Sequence, residues 1–179
     1  MRSLKILLLS AFLILVSNAV SAQAFGVRAG ANISNISGSG LNTKAKTGLY
    51  VGVYKEISLV KGVLFIQPEL QYSREGFSIE TNDVKIDYIT VPILAKVYAV
   101  KMLSFETGPQ FGFAISDNLK ENFIGTKTET FVPSWAFGAS FNLPLGLSIN
   151  TRYISSLNKN LDNIDGKNQV FQIGAAFQF

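Results

Sequence analysis

An all-β chain closed into an eight-stranded antiparallel up-and-down transmembrane β-barrel is predicted by three features of this sequence. The closing stretch, Asn168 to Phe179, alternates strictly: Phe171, Ile173, Ala175, Phe177 and Phe179 fall on one face of an extended strand, and Gln172, Gly174, Ala176 and Gln178 on the other. The chain is 47% hydrophobic, yet after the first twenty-two residues no apolar run reaches the length of a membrane-spanning helix. Seven earlier segments repeat the two-faced pattern, separated alternately by long polar and short connections.

The first twenty-two residues read as an export leader. Arg2 and Lys5 form a positive start, Ile6 to Val16 is a short apolar run, and Val20-Ser21-Ala22 supplies small residues before a cut ahead of Gln23. The expected organisation is a signal peptide over 1–22 and a single barrel domain over 23–179.

The first mature segment, Phe25 to Ser34, sets Phe25, Val27, Ala29, Ala31 and Ile33 against Gly26, Arg28, Gly30, Asn32 and Ser34. A polar loop with Gly38, Gly40, Asn42, Lys44 and Lys46 leads to a second strand from Gly48 to about Ile57, with Leu49, Val51 and Val53 outward and Tyr50, Gly52 and Tyr54 inward. The third runs from Val63 to Ser73, with Gln67, Glu69 and Gln71 inward, and a loop is expected from Arg74 to about Lys85. In the fourth, Ile86 to Ala99, Tyr88, Thr90, Pro92, Leu94, Lys96 and Tyr98 share the inner face. Proline has no N–H for the ladder, so bulges or gaps are expected at Pro68 and Pro92.

The fifth segment alternates from Leu103 to Ser116, placing Glu106 and Gln110 inward, before a polar loop from Asp117 to Thr130. The sixth sets Phe131, Trp135, Phe137 and Phe141 outward, and Pro144-Leu145-Gly146 turns the chain. The seventh carries Asn150 and Arg152 inward, and Ser155 to Lys167 forms the last loop. Short periplasmic turns and longer extracellular loops are the pattern of outer-membrane barrels, so the bacterial outer membrane is the expected location. Outward aromatics near the strand ends, Phe25, Phe105 and Phe141 at one and Tyr72, Phe131 and Tyr153 at the other, suit two interfacial girdles. A soluble ligand-binding barrel would reverse the faces, with large apolar residues inside.

Composition excludes several chemistries. Losing Arg2 and Lys5 with the leader takes sixteen basic residues to fourteen against twelve acidic, a charge near +2 with no clustered patch, so no nucleic-acid partner is expected. There is no cysteine for disulfides or thiol chemistry and no histidine for metal ligation or general-base work. Ser134, Ser140 and Ser148 lack an evident base. Asp162 to Gly166 has calcium-like residue types without the alternating spacing of a calcium loop. No catalytic residue, cofactor or metal site is assigned, and the chain is read as a non-enzyme.

The inward face carries Arg28, Glu69, Lys96, Glu106 and Arg152. Such charges either line a pore, pair as catalytic carboxylates, or plug the lumen by neutralising one another; an eight-stranded barrel is just wide enough for side chains to fill it, which favours the plug.

Phe25 to Asn32, Gln67-Pro68-Glu69-Leu70-Gln71-Tyr72-Ser73, Asp87-Tyr88-Ile89 with Val91-Pro92-Ile93, and Glu106-Thr107-Gly108-Pro109-Gln110-Phe111-Gly112 occur in the order found in a known group. Across the mature chain the sequence resembles the PorT-like outer-membrane β-barrel family of Bacteroidetes-type bacteria. The resemblance implies a small outer-membrane barrel, and the family takes its name from a member tied to a secretion and gliding apparatus. By resemblance to outer-membrane barrels in general, Phe177 and Phe179 are the insertion signal read by the barrel-assembly machinery. The expected role is structural or surface-interactive, with outer-membrane lipid around the barrel and a protein partner at the extracellular loops. The alternatives are a narrow solute channel and a component of a secretion-associated envelope complex.

Overall fold

The computed structural model describes residues 24–37, 43–79, 82–117, 130–158 and 167–179. They form eight strands: β1 (Ala24–Ser37), β2 (Thr43–Val60), β3 (Leu64–Ile79), β4 (Asn82–Val100), β5 (Leu103–Asp117), β6 (Phe131–Asn142), β7 (Leu147–Ser156) and β8 (Lys167–Gln178). Each pairs antiparallel with the next, and β8 returns to β1 from Gly26↔Gln178 to Ser37↔Lys167, closing the barrel. Because the strand number is even, Ala24 and Phe179 lie at the same end as the connections at 61–63, 101–102 and 143–146. That end is called the turn end here and the opposite one the loop end.

The two faces segregate as the alternation predicts. Outward Val51 is 50% exposed and Phe137 58%, whereas inward Glu69 is 0% and Arg152 1%. A water-soluble barrel distributes these residue types the other way, so the apolar exterior is a hydrocarbon-facing surface. Outward polar groups satisfy one another: the Trp135 indole N–H donates to Thr107 Oγ1 at 3.0 Å, and that hydroxyl donates to the Ala136 carbonyl at 3.1 Å. Lipid offers neither group a partner, which accounts for their pairing.

Three strand boundaries differ from the sequence expectation. Lys46 lies within β2, and Lys44 falls in the same strand by backbone. The segment read as a loop from Arg74 to Lys85 is a paired hairpin instead, in register from Arg74↔Asp87 to Ile79↔Asn82. Likewise Ser155 and Ser156 belong to β7 and Lys167 to β8. In the hairpin the outward positions turn polar: the exposed Arg74 donates from Nε to Asp87 Oδ1 at 2.8 Å and from Nη2 to Tyr72 OH at 3.0 Å. The strands therefore continue beyond the apolar band, where hydrophobic alternation no longer marks them. Loop residues Glu80, Glu121 and Glu129 and the Asp162–Gly166 segment lie outside the described residues, as does the leader.

At the prolines the ladder opens without slipping. Pairing passes from Tyr54↔Glu69 to Ile57↔Ile66 opposite Pro68, and from Pro68↔Ile93 to Gln71↔Thr90 opposite Pro92. The register shifts lie elsewhere, between Ala45 and Tyr50, Ser58 and Val60, Asp87 and Tyr88, and Tyr98 and Val100.

Candidate functional site

The lumen gathers buried charge from four strands. Strands β1, β3, β5 and β7 deliver Arg28, Glu69, Glu106 and Arg152 to a single cluster. Arg152 Nη2 lies 2.7 Å from Glu69 Oε1 and 2.6 Å from Glu106 Oε1. Its Nε donates to Glu106 Oε1 at 2.8 Å and its Nη1 to Glu69 Oε2 at 3.0 Å. Arg28 Nη1 donates to Glu69 Oε1 at 2.9 Å and stands 3.8 Å from Glu106 Oε1. The planar guanidinium fork allows one arginine to engage two carboxylates in this way.

Amides and a phenol complete the cluster. Gln67 Nε2 donates to Glu69 Oε1 at 2.6 Å, and Gln71 Nε2 donates to Glu69 Oε2. Arg28 Nη2 donates to Asn150 Oδ1 at 2.6 Å, and Tyr50 OH donates to the same oxygen at 2.9 Å. The local sequence makes room for these long side chains. Gly138 on β6 stands in register between Glu106 and Arg152, and a Cβ there would lie 2.7 Å from Glu106 Oε1. Gly174, paired with Gly30 across the β1–β8 seam, leaves space for the Tyr50 ring; its Cβ would meet the phenol oxygen at 2.4 Å.

Lys96 does not join this cluster, although it stands opposite Glu106 in the β4–β5 ladder. It donates instead to Glu56 Oε1 at 2.6 Å, and Tyr98 OH donates to both Glu56 oxygens at 3.1 Å. Glu56 is absent from the sequence-derived set, as is Glu75, which is buried toward the loop end. Both were legible by continuing the inward parity, from Tyr54 to Glu56 and from Ser73 to Glu75. Between the charge cluster and the loop end, Leu94, Ala136, Ile154 and Val170 form a small apolar layer.

Phe177 and Phe179 are outward at the turn end, their ring centroids 6.2 Å apart, and the Phe179 N–H donates to the Phe25 carbonyl at 2.9 Å. Among the described residues no group of three or more His, Cys, Asp or Glu is arranged to hold a metal ion.

Comparison with curated proteins finds no match. Among solved structures, Ail, the attachment invasion locus protein of Yersinia pestis, superposes with a TM-score of 0.56 at 16% identity, over 89% of this chain and 100% of that one. Neisserial surface protein A gives 0.56 at 10% identity, over 89% and 98%. OprG of Pseudomonas aeruginosa gives 0.52 at 11% identity, over 90% and 98%. At these identities the likeness is one of fold. The family description that matches the sequence itself does so over residues 18–162, most of its length, and agrees with the closed barrel and its apolar exterior: the chain belongs to the outer membrane protein beta-barrel domain family.

Proposed function

We propose that this protein is a non-enzymatic structural barrel of the bacterial outer membrane, sealed by its own lumen side chains and acting through surface contact at its loop end. The observation that carries this reading is the burial of the Arg28–Glu69–Arg152–Glu106 cluster, whose members are all 5% exposed or less. Charges lining a water-filled pore would remain solvated, and these are held by one another. Because both carboxylates are engaged by guanidinium groups, neither is placed as a free general acid or base. Ail, crystallised with the heparin analogue sucrose octasulfate, supports a contact role for barrels of this architecture. The segments shared with PorT-like barrels support placement in that subgroup, with a secretion-associated complex as the alternative setting. Planar-bilayer recordings test the seal: the wild-type barrel should show no steady ion conductance, whereas a stable open state would establish the solute-channel alternative.

Export with a cleaved leader belongs to the same proposal. The envelope form should begin at or near Gln23, and intact-mass measurement finding Met1 retained there would reject the cleavage.

A further inference from the structure

Each of the lumen carboxylates Glu56, Glu69 and Glu106 has a cation within 4.0 Å. Glu75 is different. Among the described residues it has no ion pair, and its two oxygens receive only neutral donors: Ser73 Oγ at 2.9 Å and Asn168 Nδ2 at 2.5 Å. Burying a carboxylate with neither counter-charge nor proton is strongly unfavourable. Glu75 borders a cavity of about 10 Å3 beside the apolar layer, with Thr90, Gln110 and Ser134 also on its wall. That is close to the space of one water-sized particle. Two oxygens on the wall have no protein partner, Thr90 Oγ1 and Gln110 Oε1, and their residues are 2% and 3% exposed.

A carboxylate, an amide oxygen and a hydroxyl on residues that line one small cavity make an all-oxygen donor set, the kind that hard cations take. One negative charge matches a monovalent ion better than a divalent one. A water would satisfy the two oxygens but leave the charge of Glu75 unbalanced. A protonated Glu75 with a water beside it would also balance the charge and reach both oxygens, and it differs from the ion in giving no response to sodium.

We propose that the loop end of the lumen holds a single small monovalent cation of sodium size, bound by Glu75 with Gln110 Oε1 and Thr90 Oγ1. The ion completes the neutralisation that arginine and lysine perform deeper in the barrel, and it ties β3, β4 and β5 together at that end. The site makes stability depend on which cation is present, beyond the general effect of salt.

The test is thermal unfolding of the refolded, full mature barrel in non-ionic detergent, titrated with sodium chloride against choline chloride at constant ionic strength. The wild type should gain several degrees with sodium, little below the dissociation constant and then rising with the logarithm of its concentration, as binding linkage requires. Glu75→Gln, which keeps the shape and removes the charge, should abolish the difference between the two salts. Thr90→Val, compared with its own unfolding temperature in choline, should begin to respond only at higher sodium, and Glu56→Gln, at the ion pair with Lys96, should retain the sodium response. Equal unfolding temperatures in the two salts for the wild type would overturn the proposal, because protonation or water then suffices. So would a sodium response that survives in Glu75→Gln.

Discussion

Glu69→Ala should lower the thermal unfolding temperature of the detergent-solubilised barrel more than any other single substitution in the charge cluster. Glu69 accepts hydrogen bonds from Arg28, from two nitrogens of Arg152, and from Gln67 and Gln71. Without it, two buried guanidinium groups must share Glu106, which Arg28 approaches only to 3.8 Å. Stripping one partner from a buried ion pair costs about 3–5 kcal/mol. For a domain of this size that is a fall on the order of 10 °C. Glu106→Ala should cost less, since Arg152 keeps both contacts to Glu69. Asp87→Ala, at the exposed Arg74 pair, should change little because solvent already screens it. Circular dichroism melting or heat-modifiable gel mobility reads the difference. Wild-type stability in both glutamate variants, together with steady conductance, would identify the same residues as pore lining.

Deleting residues 177–179 should remove most of the heat-modifiable, membrane-inserted barrel. Phe177 pairs with Val27 on β1 and with Leu147 on β7, and Gln178 pairs with Gly26. The truncation therefore opens the ladder on both sides of β8 at the turn end. Unpaired backbone groups facing hydrocarbon have no substitute partner, so an unclosed edge is strongly disfavoured in the membrane. The deletion also takes away both aromatic groups proposed as the signal for the assembly machinery. Two variants separate these roles. Substituting both with leucine preserves the ladder and should lose yield only through recognition, whereas the deletion should also lower the stability of barrels refolded in detergent without any machinery. Undiminished insertion of the truncated chain would remove β8 from its assigned role.

Much of the barrel was legible because a strand with lipid on one side and a packed lumen on the other must alternate at every residue. That constraint places Val51 against Gly52, or Phe105 against Glu106, without further information. It lapses where the outer face leaves the hydrocarbon. From Arg74 onward the outward positions of β3 are Arg74, Gly76 and Ser78, so the hairpin to Asn82 resembles a loop in sequence while its backbone ladder continues. Glu75 lies just past that point, and only the inward parity carried on from Ser73 marks it. Which cation each carboxylate would find was not legible at all. Lys96 stands opposite Glu106 in the ladder but reaches Glu56, two strands away on the other side, because Arg152 already occupies Glu106. Partner choice of this kind depends on side-chain length and lumen space, which no periodicity encodes.

The polar interior has a consequence for the heat capacity of unfolding. In a soluble domain, opening the core hydrates hydrocarbon and raises the heat capacity by roughly 12–15 cal/mol/K per residue. Here the groups newly hydrated are chiefly carboxylates, guanidiniums, amides and phenols, while the apolar exterior, in lipid or detergent, is kept from water by its surroundings and not by folding. Polar hydration contributes with the opposite sign. The stability curve of this barrel is accordingly flatter than that of a soluble domain of equal length, with its warm and cold limits spread far apart. Ion pairing, more than the reluctance of water to surround hydrocarbon, sets how its lumen tolerates a change of temperature.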